Sequence, residues 1–247
     1  MEIKWIEEFY KKGVLASCED WQLKMIGDEA PAEFFQYRSN DDINIDNLEN
    51  EVVWASSVFN VNDPFDCDFN TAILDTLGAR YSNKEIEMVR ESTLDIKRIL
   101  SISCFSERND SILMWSHYAN KHKGFCACYN LLDILGTHNL FLPVWYRTEK
   151  ILPLFMGDKL EQNPRIIEII VQKAPEWSYE REWRLFKYLD IKRLEAGATI
   201  KIKPTRIIIG ACANEDLKKR LQQIGKDKGI KVTQMTLESG EFKLTEK

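Results

Sequence analysis

No pair of cysteines in this chain has the C-x-x-C spacing, and histidine occurs only at His117, His122 and His138. The spacing of a structural zinc site is therefore missing, and three histidines are too few for a histidine-rich metal centre. No apolar run approaches the ~20 residues that span a bilayer. The opening residues, Met1-Glu2-Ile3-Lys4-Trp5, lack the apolar core of a secretion signal. These absences lead us to expect a reduced, cytoplasmic protein with no membrane partner, whose six cysteines act mainly as small buried hydrophobes. A net charge of -5 supplies no overall basic field to draw the chain to nucleic acid or anionic lipid, although a local basic groove is compatible with it. Eleven glycines and seven prolines in 247 residues argue against a fibrous or disordered chain, and no repeat, low-complexity tract or linker interrupts it.

What is present is an ordinary globular composition, 44% hydrophobic and 30% charged, on a chain long enough for a sizeable core. Trp5, Ile6, Phe9 and Tyr10 form one amphipathic stripe in an N-terminal helical segment, residues 1–30. Short β-rich runs follow near 34–38, 51–56, 99–105, 124–129 and 140–146. Helices are expected over 43–48, over 82–98 with Ser82 or Asn83 as cap, from Asp110 or Ser111 to Asn120, and over 164–174. The segment from Trp177 to Tyr188 reads as a strand, as do 199–203 and 206–209. A helix over 214–228 stopped by Gly229 and a strand over 230–236 close the chain. Helices inserted irregularly between short strands, without a βαβ rhythm, predict a single α+β domain with a mainly antiparallel split sheet.

The most informative stretch is Trp177-Ser178-Tyr179-Glu180-Arg181-Glu182-Trp183-Arg184. As a strand it places Glu180, Glu182 and Arg184 on one face. Two neighbouring carboxylates repel, so the arrangement is costly unless something uses it, although a solvated strand with local ion pairs is the plain alternative. Three other segments also embed polar groups among aromatics. In Tyr37-Arg38-Ser39, the arginine can grip a phosphate or carboxylate with two bonds, or can pair with an acid at a sheet edge. In Phe59-Asn60-Val61-Asn62-Asp63-Pro64-Phe65-Asp66, Asn62 and Asp63 either wall a ligand or, as we favour, fix a tight turn. In Met114-Trp115-Ser116-His117-Tyr118, Trp115 and Tyr118 share a helix face, a pattern met more often in cores than in binding sites. His117 could act as acid or base, but no local acid pairs with it.

Taken in order, these segments with Val53-Trp54-Ala55-Ser56, Ser103-Cys104-Phe105-Ser106 and Lys123-Gly124-Phe125 resemble the bacterial family called domain of unknown function 2971. The resemblance spans a core of residues 33–210, leaving 211–247 as a C-terminal helix and strand of one domain, 1–247. The same order more distantly resembles the ADP-ribosyltransferase superfamily, especially its DNA-modifying toxin branch, which binds NAD in a cleft between two small sheets. That resemblance implies a role for Tyr37 or Arg38 in holding the cofactor and sets Trp54 and Ser56 beside nicotinamide. It makes Glu182 the catalytic glutamate, preceded by Glu180. The first motif here lacks a histidine and the second lacks Ser-Thr-Ser.

The expected site thus comprises Glu182, Glu180 and Tyr118 as catalytic candidates. Tyr37, Arg38, Trp54, Ser56, Asn62, Asp63, Trp115 and Arg184 are the cofactor-binding candidates, with Arg38 or Arg184 balancing the pyrophosphate. The function this implies is NAD-using ADP-ribosyl transfer to nucleic acid or protein, in a toxin or phage-conflict setting. Two other classes stay open. One is a non-catalytic binding module for a nucleotide or a protein. The other is a hydrolase or nuclease with Asp63, Asp66, Glu180 and Glu182 around a divalent metal.

Overall fold

A computed structural model describes residues 4–11, 29–68, 82–150, 166–189 and 196–247. The opening helix α1 (Lys4–Lys11) carries Ile6, Phe9 and Tyr10 into the core. The rest of the expected N-terminal helical segment, 12–28, lies outside the described residues. Strand β1 (Glu33–Arg38) is followed by α2 (Asp42–Glu49), whose N-cap Asp41 accepts the amide of Asn44 at 2.9 Å. Next come β2 (Val52–Ser57), a 3-10 turn (Val58–Asn60) and α3 (Asn83–Ile99). Ser82 and Glu85 close a reciprocal capping box at the start of α3, the structural form of the Ser82 signal. Strand β3 (Leu100–Ser106), α4 (Ile112–Tyr118), β4 (Phe125–Asn130) and α5 (Leu131–Leu135) lead to two short strands, β5 (Phe141–Pro143) and β6 (Trp145–Tyr146). The chain continues through α6 (Ile166–Val171), β7 (Gln172–Lys173), a second 3-10 helix (Pro175–Glu180), β8 (Glu182–Tyr188), β9 (Gly197–Lys201) and β10 (Arg206–Ile209). It ends with α7 (Glu215–Lys228), β11 (Lys231–Leu237) and β12 (Leu244–Glu246).

Ten strands form one sheet in the order β12-β11-β10-β4-β1-β3-β2-β9, with β8 and β5 branching from β3. Every pairing in it is antiparallel except β10 with β11, which α7 connects as a crossover. Two segments differ from the sequence expectation. The run 164–174 turns from helix to strand at Gln172, because β7 pairs in parallel with β6. The expected strand 177–188 is a 3-10 helix up to Glu180 and becomes strand only at Glu182.

The ten strands make one continuous sheet that forks at β3. One edge of β3 is fully occupied by β8, from Leu100↔Tyr188 to Ser106↔Glu182. The opposite edge is shared by two strands: β1 touches it at Phe35↔Ser106, and β2 at Ser56↔Ile102 and Ser57↔Ser101. Between those contacts β1 and β2 diverge, which leaves the backbone around Cys104 without a strand partner on that side. A part-buried carbonyl without a strand partner still seeks a donor. Gln36 supplies it, its Nε2 reaching the Cys104 carbonyl at 3.3 Å and Ser103 Oγ at 2.7 Å. The fork is thus held open by a polar side chain and a hollow forms within it.

Apolar clusters cover both faces of the sheet. On one, Phe34, Phe141 and Trp183 meet with ring centroids 5.0–5.1 Å apart. On the other, Phe35 and Tyr37 pack with Trp115, Cys126, Cys128 and Ile208. Alternation along β1 therefore buries residues of both parities, as expected of a central strand.

Candidate active site

The hollow in the fork has a volume of about 290 Å³. Its floor is β3 from Ile102 to Ser106; its walls include Arg38 of β1, Trp54 and Ser56 of β2, Asn60 to Asn62, and Tyr118 at the end of α4. Lys173, Glu180 and Glu182 close one end. Of the candidates named from sequence, Tyr37, Arg38, Trp54, Ser56, Asn62, Tyr118, Glu180 and Glu182 line this one cleft; Asp63, Trp115 and Arg184 do not.

A backbone device brings the two glutamates together. Pro175 starts the 3-10 helix, and Arg181 ends it in the left-handed region, φ 43°. Ser106 Oγ donates to the Glu180 carbonyl at 2.6 Å, and Glu107 donates its amide to the Arg181 carbonyl at 3.1 Å, which pins the turn to β3. Glu180 and Glu182 thus leave different elements, yet both reach Lys173 Nζ, at 2.5 and 2.9 Å. Strand alternation is not what pairs them.

Behind Glu182 lies Arg184, fully buried. Its Nε meets Glu182 Oε1 at 2.8 Å, and its two terminal nitrogens grip Asp66 at 2.8 and 2.6 Å. Three acids and two bases therefore share a buried network that is one positive charge short of neutral. Its members divide the shortfall unequally. Desolvation raises both glutamates, but Arg184 and Lys173 hold Glu182 far below the usual carboxylate range. Glu180 stays above its ordinary value: burial pushes it up, Lys173 opposes this, and the charge of Glu182 adds to it. Adjacent carboxylates with oppositely displaced pKa values are the pattern of an ionised stabiliser beside a proton carrier. The Tyr118 hydroxyl donates to Glu180 Oε1 at 2.5 Å and accepts from Asn62 Nδ2 at 3.3 Å.

Arg38 also lines the cleft. It is half-buried, desolvation lowers its pKa, and no described residue gives its guanidinium a hydrogen bond or an ion pair. Trp54 is 38% exposed beside it. Its ring lies against Gly197 of β9, where an added Cβ would come within 2.7 Å of the indole. Cys104 is open to the hollow, but desolvation and then Glu182 raise its thiol, so it is no ready nucleophile.

Three sequence expectations are corrected. Asp63 turns away from the hollow: Oδ1 accepts the Phe65 amide and Oδ2 the Trp177 indole, both at 2.8 Å, so the residue fixes its loop. Trp115 is fully buried, with its indole on the Asn109 carbonyl and its ring against Tyr37. Arg184 cannot reach a pyrophosphate because it is wholly enclosed and committed to Asp66 and Glu182. Tyr37 lines the cleft through its ring only, since its hydroxyl is given to the Arg108 carbonyl. His117 is exposed and outside the lining.

The sequence reading missed Lys173 and Gln36. Lys173 ends the apolar run Ile166 to Val171, and a lysine in such a place is expensive unless buried acids await it. Among the described residues, no group of three or more histidine, cysteine or acidic side chains could hold a metal ion. The cations Lys173 and Arg184 occupy the space between the acids. No helix among the described residues is long and apolar enough to cross a membrane.

Comparison with known proteins adds one finding. No curated protein and no solved structure matches this chain. A protein-family model described as Protein of unknown function (DUF2971) matches residues 114–185. The matched stretch holds Tyr118, Lys173, Glu180, Glu182 and Arg184 but stops short of Arg38, Trp54 and Asp66, so the chain is similar to that family over the acidic end of the cleft.

Proposed function

We propose that the fork cleft binds a nucleotide and that the protein is an NAD-using transferase, passing an ADP-ribosyl group to nucleic acid or protein. The observation that carries this reading is a single hollow lined both by an arginine that no described residue pairs and by a carboxylate kept ionised. Arg38 suits a phosphate, and the exposed face of Trp54 suits a planar ring. At about 290 Å³ the hollow sits at the small end of ligand sites, about 300–1,000 Å³, and takes the nicotinamide ribose end of a dinucleotide.

As substrate, NAD would supply a ribosyl–nitrogen bond whose cleavage leaves positive character on the sugar, the electron pair departing with nicotinamide. Glu182 remains ionised under the influence of its two cations and favours positive character on the ribose over the ground state, in which the charge sits on the nicotinamide ring. Oε2 already accepts from Lys173 and Arg184, whereas Oε1 accepts only from Arg184 Nε and keeps lone-pair capacity for a sugar hydroxyl. Glu180, with its raised pKa, takes the proton from the incoming nucleophile, and Tyr118 orients it. A second reading, a binding module without chemistry, draws on one observation: Glu182 is engaged by Lys173 and Arg184 on both oxygens, as in a purely structural ion network.

Calorimetry and NAD consumption on wild type, Glu182→Gln, Glu180→Gln and Arg38→Ala separate the two. We expect wild type to bind NAD and consume it with DNA, RNA or protein acceptors. Glu182→Gln should bind nearly as well but turn over on the order of a hundredfold slower. Glu180→Gln should lose less, and Arg38→Ala should lose binding. Saturable binding without consumption favours the module. Absence of NAD binding sinks the transferase reading. Loss of turnover only in step with a lowered melting temperature makes Glu182 structural.

A further inference from the structure

A larger cavity, about 630 Å³, lies on the other side of the first residues of β8. Its walls come from α1, from Glu107, Arg108 and Ser111, from Val144 to Thr148, and from the second 3-10 helix and the start of β8. Three arginines face it, and two are accounted for. Arg108 is held by Asp110 through bonds of 2.8 and 3.0 Å. Arg181 lies 3.6 Å from Glu107, whose other oxygen accepts the Trp183 indole at 2.9 Å.

Arg147 is different. Its guanidinium carbon sits 4.4 Å over the Trp145 ring, which stacks on Tyr10 at 5.3 Å and 10°. No described carboxylate pairs with it, and its Nε is buried without any hydrogen-bond partner. A buried N–H left unmatched costs about 1–3 kcal/mol, so this atom calls for an acceptor that the described residues do not provide. The neighbouring Tyr146 hydroxyl accepts the Glu182 amide at 2.8 Å, which leaves its own proton to be given away. Glu7 also faces the cavity and has a partner of its own.

We propose that this cavity is a second binding site, for a ligand bearing an oxoanion, either phosphate or carboxylate, with Arg147 as its anchor. The planar fork of arginine matches two oxygens of such a group. Stacking on Trp145 holds the fork in place, so little side-chain freedom is lost on binding. An oxygen of such a group, bound at Arg147, satisfies the unmatched Nε–H. Glu182 lines both hollows. The proposal needs no ribosyl transfer and stands whether or not the fork cleft is catalytic.

The test uses the full chain in the Arg38→Ala background, which removes the other unpartnered arginine. Inorganic phosphate and succinate are titrated calorimetrically into that protein and into the same protein carrying Arg147→Met, which keeps the stem but loses the fork. We expect saturable binding of at least one probe, weakened about tenfold or more by Arg147→Met. Preference for phosphate assigns phosphate esters; preference for succinate assigns carboxylates. Should Arg147→Met fail to fold, phenylglyoxal labelling of wild type, mapped by peptide mass, takes its place: the bound probe should shield Arg147. Absence of saturable binding by either probe overturns the proposal, as does binding indifferent to Arg147→Met or a lack of shielding.

Discussion

At the scale of single residues, Lys173 decides the character of the fork cleft. It lies within 4 Å of three acids, and Arg184 matches two of them from behind. Removing one member of a buried ionic network leaves its partners desolvated and unbalanced, a loss of about 3–5 kcal/mol. Lys173→Met should therefore lower stability on that scale in urea unfolding, and an unchanged midpoint would show that the acids are relieved some other way. The pH dependence follows from the shifts. The pKa of Glu182 is lower in the folded chain than in the unfolded one, so its stabilisation is fully present above the ordinary carboxylate value and is lost as pH falls below it. The pKa of Lys173 is raised by Glu182 and Glu180 against its own desolvation, so its stabilisation is present below the ordinary lysine value and is lost above it. These two groups should lower the melting temperature below about pH 4 and above about pH 10, while the raised pKa of Glu180 withdraws some stability as pH rises past the ordinary carboxylate value. The gap between wild type and Glu182→Gln should narrow as pH drops below about 4. A gap independent of pH would remove Glu182 from the network. These residue types were legible in the sequence as an expensive pair of carboxylates. Lys173 was not, because nothing local ties it to residues seven and nine positions away.

At the scale of elements, the left-handed residue Arg181 does what strand alternation was expected to do. It ends the 3-10 helix, starts β8 and turns Glu180 and Glu182 toward the same lysine. A β-branched side chain is poorly tolerated at positive φ, whereas glycine is at ease there. Arg181→Val should cost on the order of 1–3 kcal/mol and release Glu180 from Lys173, while Arg181→Gly should be near neutral in stability. Equal stability of the two variants in denaturant titrations would mean that the turn is not constrained. The helices were readable because their signals are local: of the alternatives offered, Ser82 and Ser111 are the caps, and Gly229 stops the last helix, whose expected first residue, Asn214, is its cap. The segment 177–188 misled because its aromatic and β-rich composition is compatible with a strand, while Pro175 and the hydrogen bonds from Ser106 and Glu107 act on its first half.

At the scale of the whole molecule, almost every sheet contact joins distant parts of the chain: β10 lies on β4, β9 on β2, and β8 on β3. The C-terminal portion is built into the same core, since Leu217, Leu221 and Ile224 pack in the cluster that contains Phe34 and Trp183. The chain should therefore unfold in one transition, with circular dichroism and tryptophan fluorescence coincident. Deleting residues 211–247 should leave β10 without its outer neighbour and strip those leucines from the core, so that no cooperative melt remains. A shortened chain that still melts cooperatively would make the C-terminal part a separate unit.

Composition and periodicity by themselves determined the α+β class, the places of most strands and helices, and a set of polar residues too costly to leave idle among aromatics. Eight of the eleven candidates, of which Trp54 and Ser56 came from the family resemblance alone, line one cleft. Tertiary structure decided the rest. The unequal sharing of the β3 edge by β1 and β2 opened the hollow. Enclosure turned Arg184 from a ligand-facing cation into the support of Glu182, and local hydrogen bonds drew Asp63 into its own loop. These outcomes depend on what lies across the sheet from each side chain. A linear sequence records which groups need partners; the choice of partner belongs to the fold, because burial and charge balance are set by neighbours distant along the chain.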